Sequence, residues 1–188
     1  MKLRTIFITG LIASIALPTF IVLDGHRQQT NLNYAVWRGA ELRKSNWAGV
    51  VLWRPKLAGR DFSGALLQDA YFHGGDFTGA KFVGADLRGA TFRGSILDKA
   101  DFRGADLRNA KLRYSSLRDA DLRDSRMENA DVSQTLLFGA DLRGAKLLKV
   151  EFQPSIAGDD TKWPQGFNLG KNGIVIIEPR PPQKYGGR

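Results

Sequence analysis

The side chains that could do chemistry are few and badly spaced for catalysis. The 188-residue chain holds two histidines, His26 and His73, 47 positions apart, and no cysteine. That removes disulfides, thiolate nucleophiles and thiolate metal ligands. No His and Glu residues cluster with the spacing of a metal site. Serine and aspartate are common, but they recur at fixed intervals where turn and ladder roles account for them. With no nucleophile placed beside a base, the expectation is a protein that is not an enzyme and holds no catalytic residues, metal or cofactor. What does recur is Asp-x-Arg, at Asp86/Arg88, Asp101/Arg103, Asp106/Arg108, Asp121/Arg123 and Asp141/Arg143. In an extended segment that spacing puts opposite charges on the same side, where they relieve the repulsion of stacked arginines.

These pairs belong to a five-residue period that runs from residue 30 to residue 154 without insertion or deletion, which is 125 residues or 25 repeats. The central residue of every repeat is apolar, for example Phe82, Leu87, Phe92, Leu97, Phe102 and Leu107. Two positions earlier stands a small residue, mostly Ala (Ala80, Ala85, Ala90, Ala100, Ala105) and Ser at 45, 95, 115 and 125. Residues of equal parity share a side of an extended chain, so the small and the large residue point inward together. Two positions after the centre stands Gly in twelve repeats and Asn or Asp in five. Those residues accept positive φ, which places a turn after each short strand. A strand and a turn every five residues fits neither an α-helix nor an open sheet. The chain must wind around a closed axis, and an unbroken register of this kind predicts a solenoid.

Repeats such as Ala85-Asp86-Leu87-Arg88-Gly89 and Ala105-Asp106-Leu107-Arg108-Asn109 resemble the A(D/N)LXX signature of the pentapeptide repeat family. The resemblance covers about two thirds of the chain. It implies an all-β fold, a right-handed quadrilateral β-helix with four repeats per coil, of about six coils. At about 4.8 Å per coil the rod would be roughly 30 Å long.

A coil of twenty residues stacks outward positions twenty apart and unrolls the surface into four faces. Two adjacent faces carry the Asp-x-Arg pairs, which read as structural ladders in preference to a phosphate-binding arginine track. A third face, built over Leu52, Phe72, Phe92 and Leu112, interleaves aromatic and basic residues: Trp53, Arg54, Tyr71, His73, Arg93, Lys111, Arg113 and Tyr114. It has no acid before Asp131. Such a surface suits a protein partner, since Trp, Tyr and Arg dominate interaction hot spots, or an anionic polymer or lipid headgroup. The remaining face exposes Val36, Ile96, Leu136 and Phe138, a candidate apolar contact that would pair two rods as a homodimer or meet a cap.

Three domains follow. Residues 1–29 form an export signal or single transmembrane anchor with a short linker, because residues 6–23 are an uncharged apolar run behind Lys2 and Arg4. This apolar helix is expected to remain as an anchor or to be cleaved near Ser14-Ile15-Ala16. Residues 30–154 form the β-helix. Residues 155–188 form a C-terminal cap and basic tail in which Trp163, Phe167 and residues 174–177 cover the last coil. The run from Thr161 to Phe167 is similar to tails that follow such repeats in cyanobacterial members of the family. Within the rod, Val50, Pro55 and Arg60 occupy positions meant for small inward residues, so the early coils should bulge, or Arg60 should turn outward.

The formal charge is +9, and residues 30–154 carry 20 Lys/Arg against 15 Asp/Glu. The resemblance brings in members that inhibit topoisomerase by imitating DNA, but those depend on a negative rod. Here nucleic acid is not an expected partner. The expected function is a non-enzymatic interaction or stabilising module, anchored in or exported across a membrane into a periplasm or thylakoid lumen. Its expected partner is a membrane-associated protein complex such as a photosynthetic one.

Overall fold

The computed structural model describes residues 42–177. Along most of that length each residue just before a centre pairs in parallel with the one twenty positions on, as in Asp61↔Lys81↔Asp101↔Asp121↔Asp141 and Asp86↔Asp106. The backbone of Leu87 donates to Asp106 O at 2.8 Å and that of Asp106 to Ala85 O at 2.9 Å. Twenty residues and four turns therefore make one coil. Most sides are so short that pairing is a single bridge. Three-residue strands form only where it extends: β1 (Val51–Trp53) with β2 (Tyr71–His73), and β3 (Ser155–Ala157) with β4 (Ile174–Ile176), both parallel.

Inward parity holds. Phe62, Phe72, Phe77, Phe82, Phe92, Phe102 and the intervening leucines are fully buried, with Ala65, Ala70, Ala80 and Ala90 between them. The small residue leaves room for one large side chain per side, and rings stack from coil to coil. Phe62 and Phe82 centroids are 5.3 Å apart, Phe82 and Phe102 4.9 Å, both pairs nearly parallel.

The turn positions go further than composition implied. The eleven glycines and eleven other residues two places after each centre, from Lys44 to Lys149, all have positive φ, Lys99, Tyr114 and Gln134 among them. Most of these turns close with a bond from the next residue's amide to the central carbonyl, as Ala90 to Leu87 at 3.0 Å. That is the bonding and φ pattern of a type II turn, in which the third residue must adopt positive φ whatever its type.

Two early expectations are resolved. The ladder keeps its register on both sides of Arg60, through Lys56↔Asp76 and Asp61↔Lys81, so there is no bulge there. Arg60 lies partly exposed while Val50 and Pro55 are buried. At the other end, winding outlasts the sequence repeat: Leu136↔Ile156 and Asp141↔Lys162 continue the ladder, and β4 adds a further rung on β3. Ser155 and Ala157 keep the inward parity and are fully buried, but Ala157 is too small to be read as a centre. Trp163, Phe167 and Ile174 pack on this end of the core, with Trp163 5.8 Å and Phe167 5.6 Å from Phe152. The apolar helix expected over residues 6–23 lies outside the described residues. Among the described residues no helix is long and apolar enough to cross a membrane.

Candidate functional site

The aromatic and basic face is assembled by the ladder, because Leu52, Phe72, Phe92 and Leu112 point inward and turn their neighbours out. Pairing of β1 with β2 places Val51 on Tyr71 and Trp53 on His73, and Tyr71↔Thr91↔Lys111↔Asp131 extend the same column. The eight predicted residues separate into two clusters. In the first, the Trp53 ring lies 5.2 Å from Tyr71 and 5.1 Å from His73, and Tyr71 and His73 stack at 6.2 Å. Trp53 remains 43% exposed. His73 Nδ1 is buried without a hydrogen-bond partner. Arg54 packs its stem over Gly74, where a Cβ would come within 3.3 Å of Arg54 Cγ.

The second cluster surrounds Tyr114, which is 45% exposed and occupies a turn position with φ 64°. The guanidinium carbons of Arg93 and Arg113 lie 5.0 and 4.9 Å from its ring centre. A ring face attracts a cation through its quadrupole, so Tyr114 holds both arginines on neighbouring coils. Arg113 Nε donates to Gln134 Oε1 at 2.9 Å, a partner not foreseen from residue types alone. Lys111 is exposed beside them.

The charged faces behave differently. In each of the five Asp-x-Arg pairs, Arg Nε and a terminal nitrogen donate to the two oxygens of the Asp at 2.6 to 2.9 Å. Arg103 also reaches Asp121 at 3.6 Å in the next coil. Bonds from Arg88, Arg103 and Arg143 hold the carboxyls of Asp86, Asp101 and Asp141 below the ordinary range. At Asp106 burial is the largest influence and acts upward, but the bonds from Arg108 outweigh it. These arginines are committed within the fold.

Of the apolar contact face, Val36 lies outside the described residues. Ile96 is 47% exposed. Leu136 is half-buried and pairs with Ser116 and Ile156. Phe138 sits 5.6 Å under the Arg118 guanidinium and against Gly158, where a Cβ would approach it to 3.1 Å. On an Asp-x-Arg side, Arg43, Lys44, Asp61, Lys81, Asp101 and Arg103 line an open groove in which both charge signs mix. No group of three or more His, Asp or Glu able to hold a metal is found among the described residues.

A pentapeptide repeat family model matches in eight copies over residues 48–84, 76–113, 85–124 and 115–153. Solved structures similar to this one include a pentapeptide repeat protein from Nostoc Pcc 7120, 32% identical over 63% of this chain and 85% of that chain, with TM-score 0.49. A pentapeptide repeat protein from the thylakoid lumen of Arabidopsis thaliana is 27% identical over 61% of this chain and 72% of its own, with TM-score 0.29. HetL, a pentapeptide repeat protein involved in heterocyst differentiation regulation in Nostoc sp. strain PCC 7120, is 19% identical over 74% and 92%, with TM-score 0.42. No curated protein matches this chain. Joined with the twenty-residue ladder and the buried five-residue register, the family match over residues 48–153 makes this chain a member of the pentapeptide repeat family.

Proposed function

We propose that this protein is a non-enzymatic interaction module that docks a membrane-associated protein complex through the face containing Trp53, Tyr71, Arg93, Arg113 and Tyr114. Pentapeptide repeat proteins are generally non-enzymatic structural or interaction modules, and this reading adds where this one makes its contact. One observation carries it: the aromatic and basic side chains are pre-assembled into two ring-centred clusters on a single side of a rigid rod. Ordering a partner-binding surface in advance lowers the entropy lost on association, and the composition is that of interaction hot spots. The uncharged run at residues 6–23 supports delivery of the rod to, or across, a membrane. The net charge of +9 weighs against imitation of DNA.

The test is purification of the full chain from its native membranes through a C-terminal tag, alongside a variant with Tyr71, Arg93 and Arg113 replaced by Ala. The variant is expected to lose co-purifying membrane proteins. An identical set of partners would remove this face from consideration.

A further inference from the structure

Five repeats share one arrangement: an Asp two residues before an Arg takes both prongs of the guanidinium at 2.6 to 2.9 Å. On the aromatic face the Arg remains but the Asp does not. Thr91 precedes Arg93 and Lys111 precedes Arg113. Among the described residues, neither arginine nor Lys111 makes an ion pair. Two like charges one coil apart share the ring of Tyr114, with the third cation beside them. That clustering is repulsive until an anion joins it, and although Gln134 takes Arg113 Nε, the guanidiniums keep further N–H groups that can fork onto a carboxylate.

We infer that Arg93 and Arg113 are an open Asp-x-Arg ladder, completed by carboxylates that an acidic segment of a protein partner inserts where Thr91 and Lys111 replace the repeat's own Asp. This inference rests on the face proposed above and names what that face recognises. The cationic stretch is short. It is bounded on one side by the Trp53, Tyr71 and His73 rings and on the other by Asp131 and Ser133. Binding along a polyanion draws its strength from many phosphate contacts in a row, and this site offers room for only a few. Exposed Trp53 at one end and Tyr114 within the cluster supply apolar contact area for a polypeptide.

Binding is measured with the full chain and a fluorescein-labelled synthetic peptide of alternating Glu and Gly. The expected result is salt-sensitive binding that vanishes when Gln replaces Glu in the peptide. Arg93→Gln with Arg113→Gln should weaken it roughly ten- to a hundredfold, the range for losing charged hydrogen bonds. The decisive variant is Thr91→Asp with Lys111→Asp, which keeps both arginines, uses the residue that stands at this position in the five Asp-x-Arg repeats, and should weaken binding as much while melting no lower. Equal binding by that variant, or by the Gln peptide, would overturn the inference. So would tighter binding of phosphatidylglycerol vesicles or a single-stranded oligonucleotide at the same residues, since the site would then serve a polyanion.

Co-purification separates this from the broader reading. If Tyr71, Arg93 and Arg113→Ala loses the membrane partners but Thr91→Asp with Lys111→Asp keeps them, the face docks the complex without carboxylates and the inference fails alone. If both variants keep the partners while the peptide still needs the open ladder, the docking reading fails and the carboxylate site stands.

Discussion

The Ser95 hydroxyl accepts a hydrogen bond from the Gly75 amide, one coil away, at 3.0 Å, and donates to Phe72 O at 2.7 Å. It stands in for a turn-closing bond between Gly75 and Phe72, at the corner where the aromatic face begins its turn. Ser155 likewise donates across one coil to Val132 O at 2.7 Å, and the Thr135 hydroxyl donates to that carbonyl at 2.7 Å. Ser95, Ser115, Thr135 and Ser155 form one buried column at this corner, whereas the other corners are lined mostly by Ala, with Ser125 and Thr161 as isolated buried hydroxyls.

Removing a buried partner costs the desolvation of the group left behind. Ser95→Ala should therefore destabilise the rod by about 1–3 kcal/mol. Ser115→Ala should be within about 0.5 kcal/mol of neutral, because the Ser115 hydroxyl has no partner to lose. Urea melts of the two variants check the contrast, and equal losses would show that the bridge contributes nothing.

In the core, Phe92→Ala and Leu107→Ala each leave a cavity in a fully enclosed column. The expected loss is about 2–5 kcal/mol at either position. Leu148→Ala, at a side chain 68% exposed, should cost under about 0.5 kcal/mol. Losses below that level at both buried positions would contradict their inward placement.

Turn strain can be isolated at Gly79, which has φ 64° and nothing within 4 Å of an added Cβ. Gly79→Val should cost roughly 1–2 kcal/mol from backbone conformation alone. Lys99→Gly, at φ 60°, should recover part of such a cost, about 0.5 kcal/mol, offset by the added freedom of the unfolded chain. Paired thermal melts give both signs.

Acid should act through the ladder. Asp86, Asp101, Asp106 and Asp141 have carboxyls held below the ordinary range. A depressed folded-state pKa contributes stability that is fully present above the unfolded value, about 3.9, and is lost as pH falls through the folded one. Stability should thus not decline on account of these groups between pH 7 and about 5, and should fall below about 4. The partner arginines are about a third to over half exposed, so each pair contributes little and the fall should be gradual. Asp101→Asn combined with Asp106→Asn should flatten the acid limb, as urea midpoints across pH would register.

Much of the fold follows from local order in the sequence. A period of five with matched parity dictates which side chains turn inward, and Gly, Asn and Asp mark the turns, because both depend on one short strand and its own backbone. That Lys99, Tyr114 and Gln134 share the same positive φ was not legible from residue type. Their conformation is imposed by closure of the coil, a constraint from residues twenty away. The ladder beyond Pro154 was hidden for a related reason, since Ala157 keeps inward parity without the bulk that marks a centre. The membership of the aromatic face was readable once positions twenty apart were stacked. Its division into a Trp53 cluster and a Tyr114 cluster was not, because exposed side chains choose rotamers from neighbours on other coils. Only the stacked structure sets Arg93 and Arg113 on one ring, with no ion pair to either among the described residues.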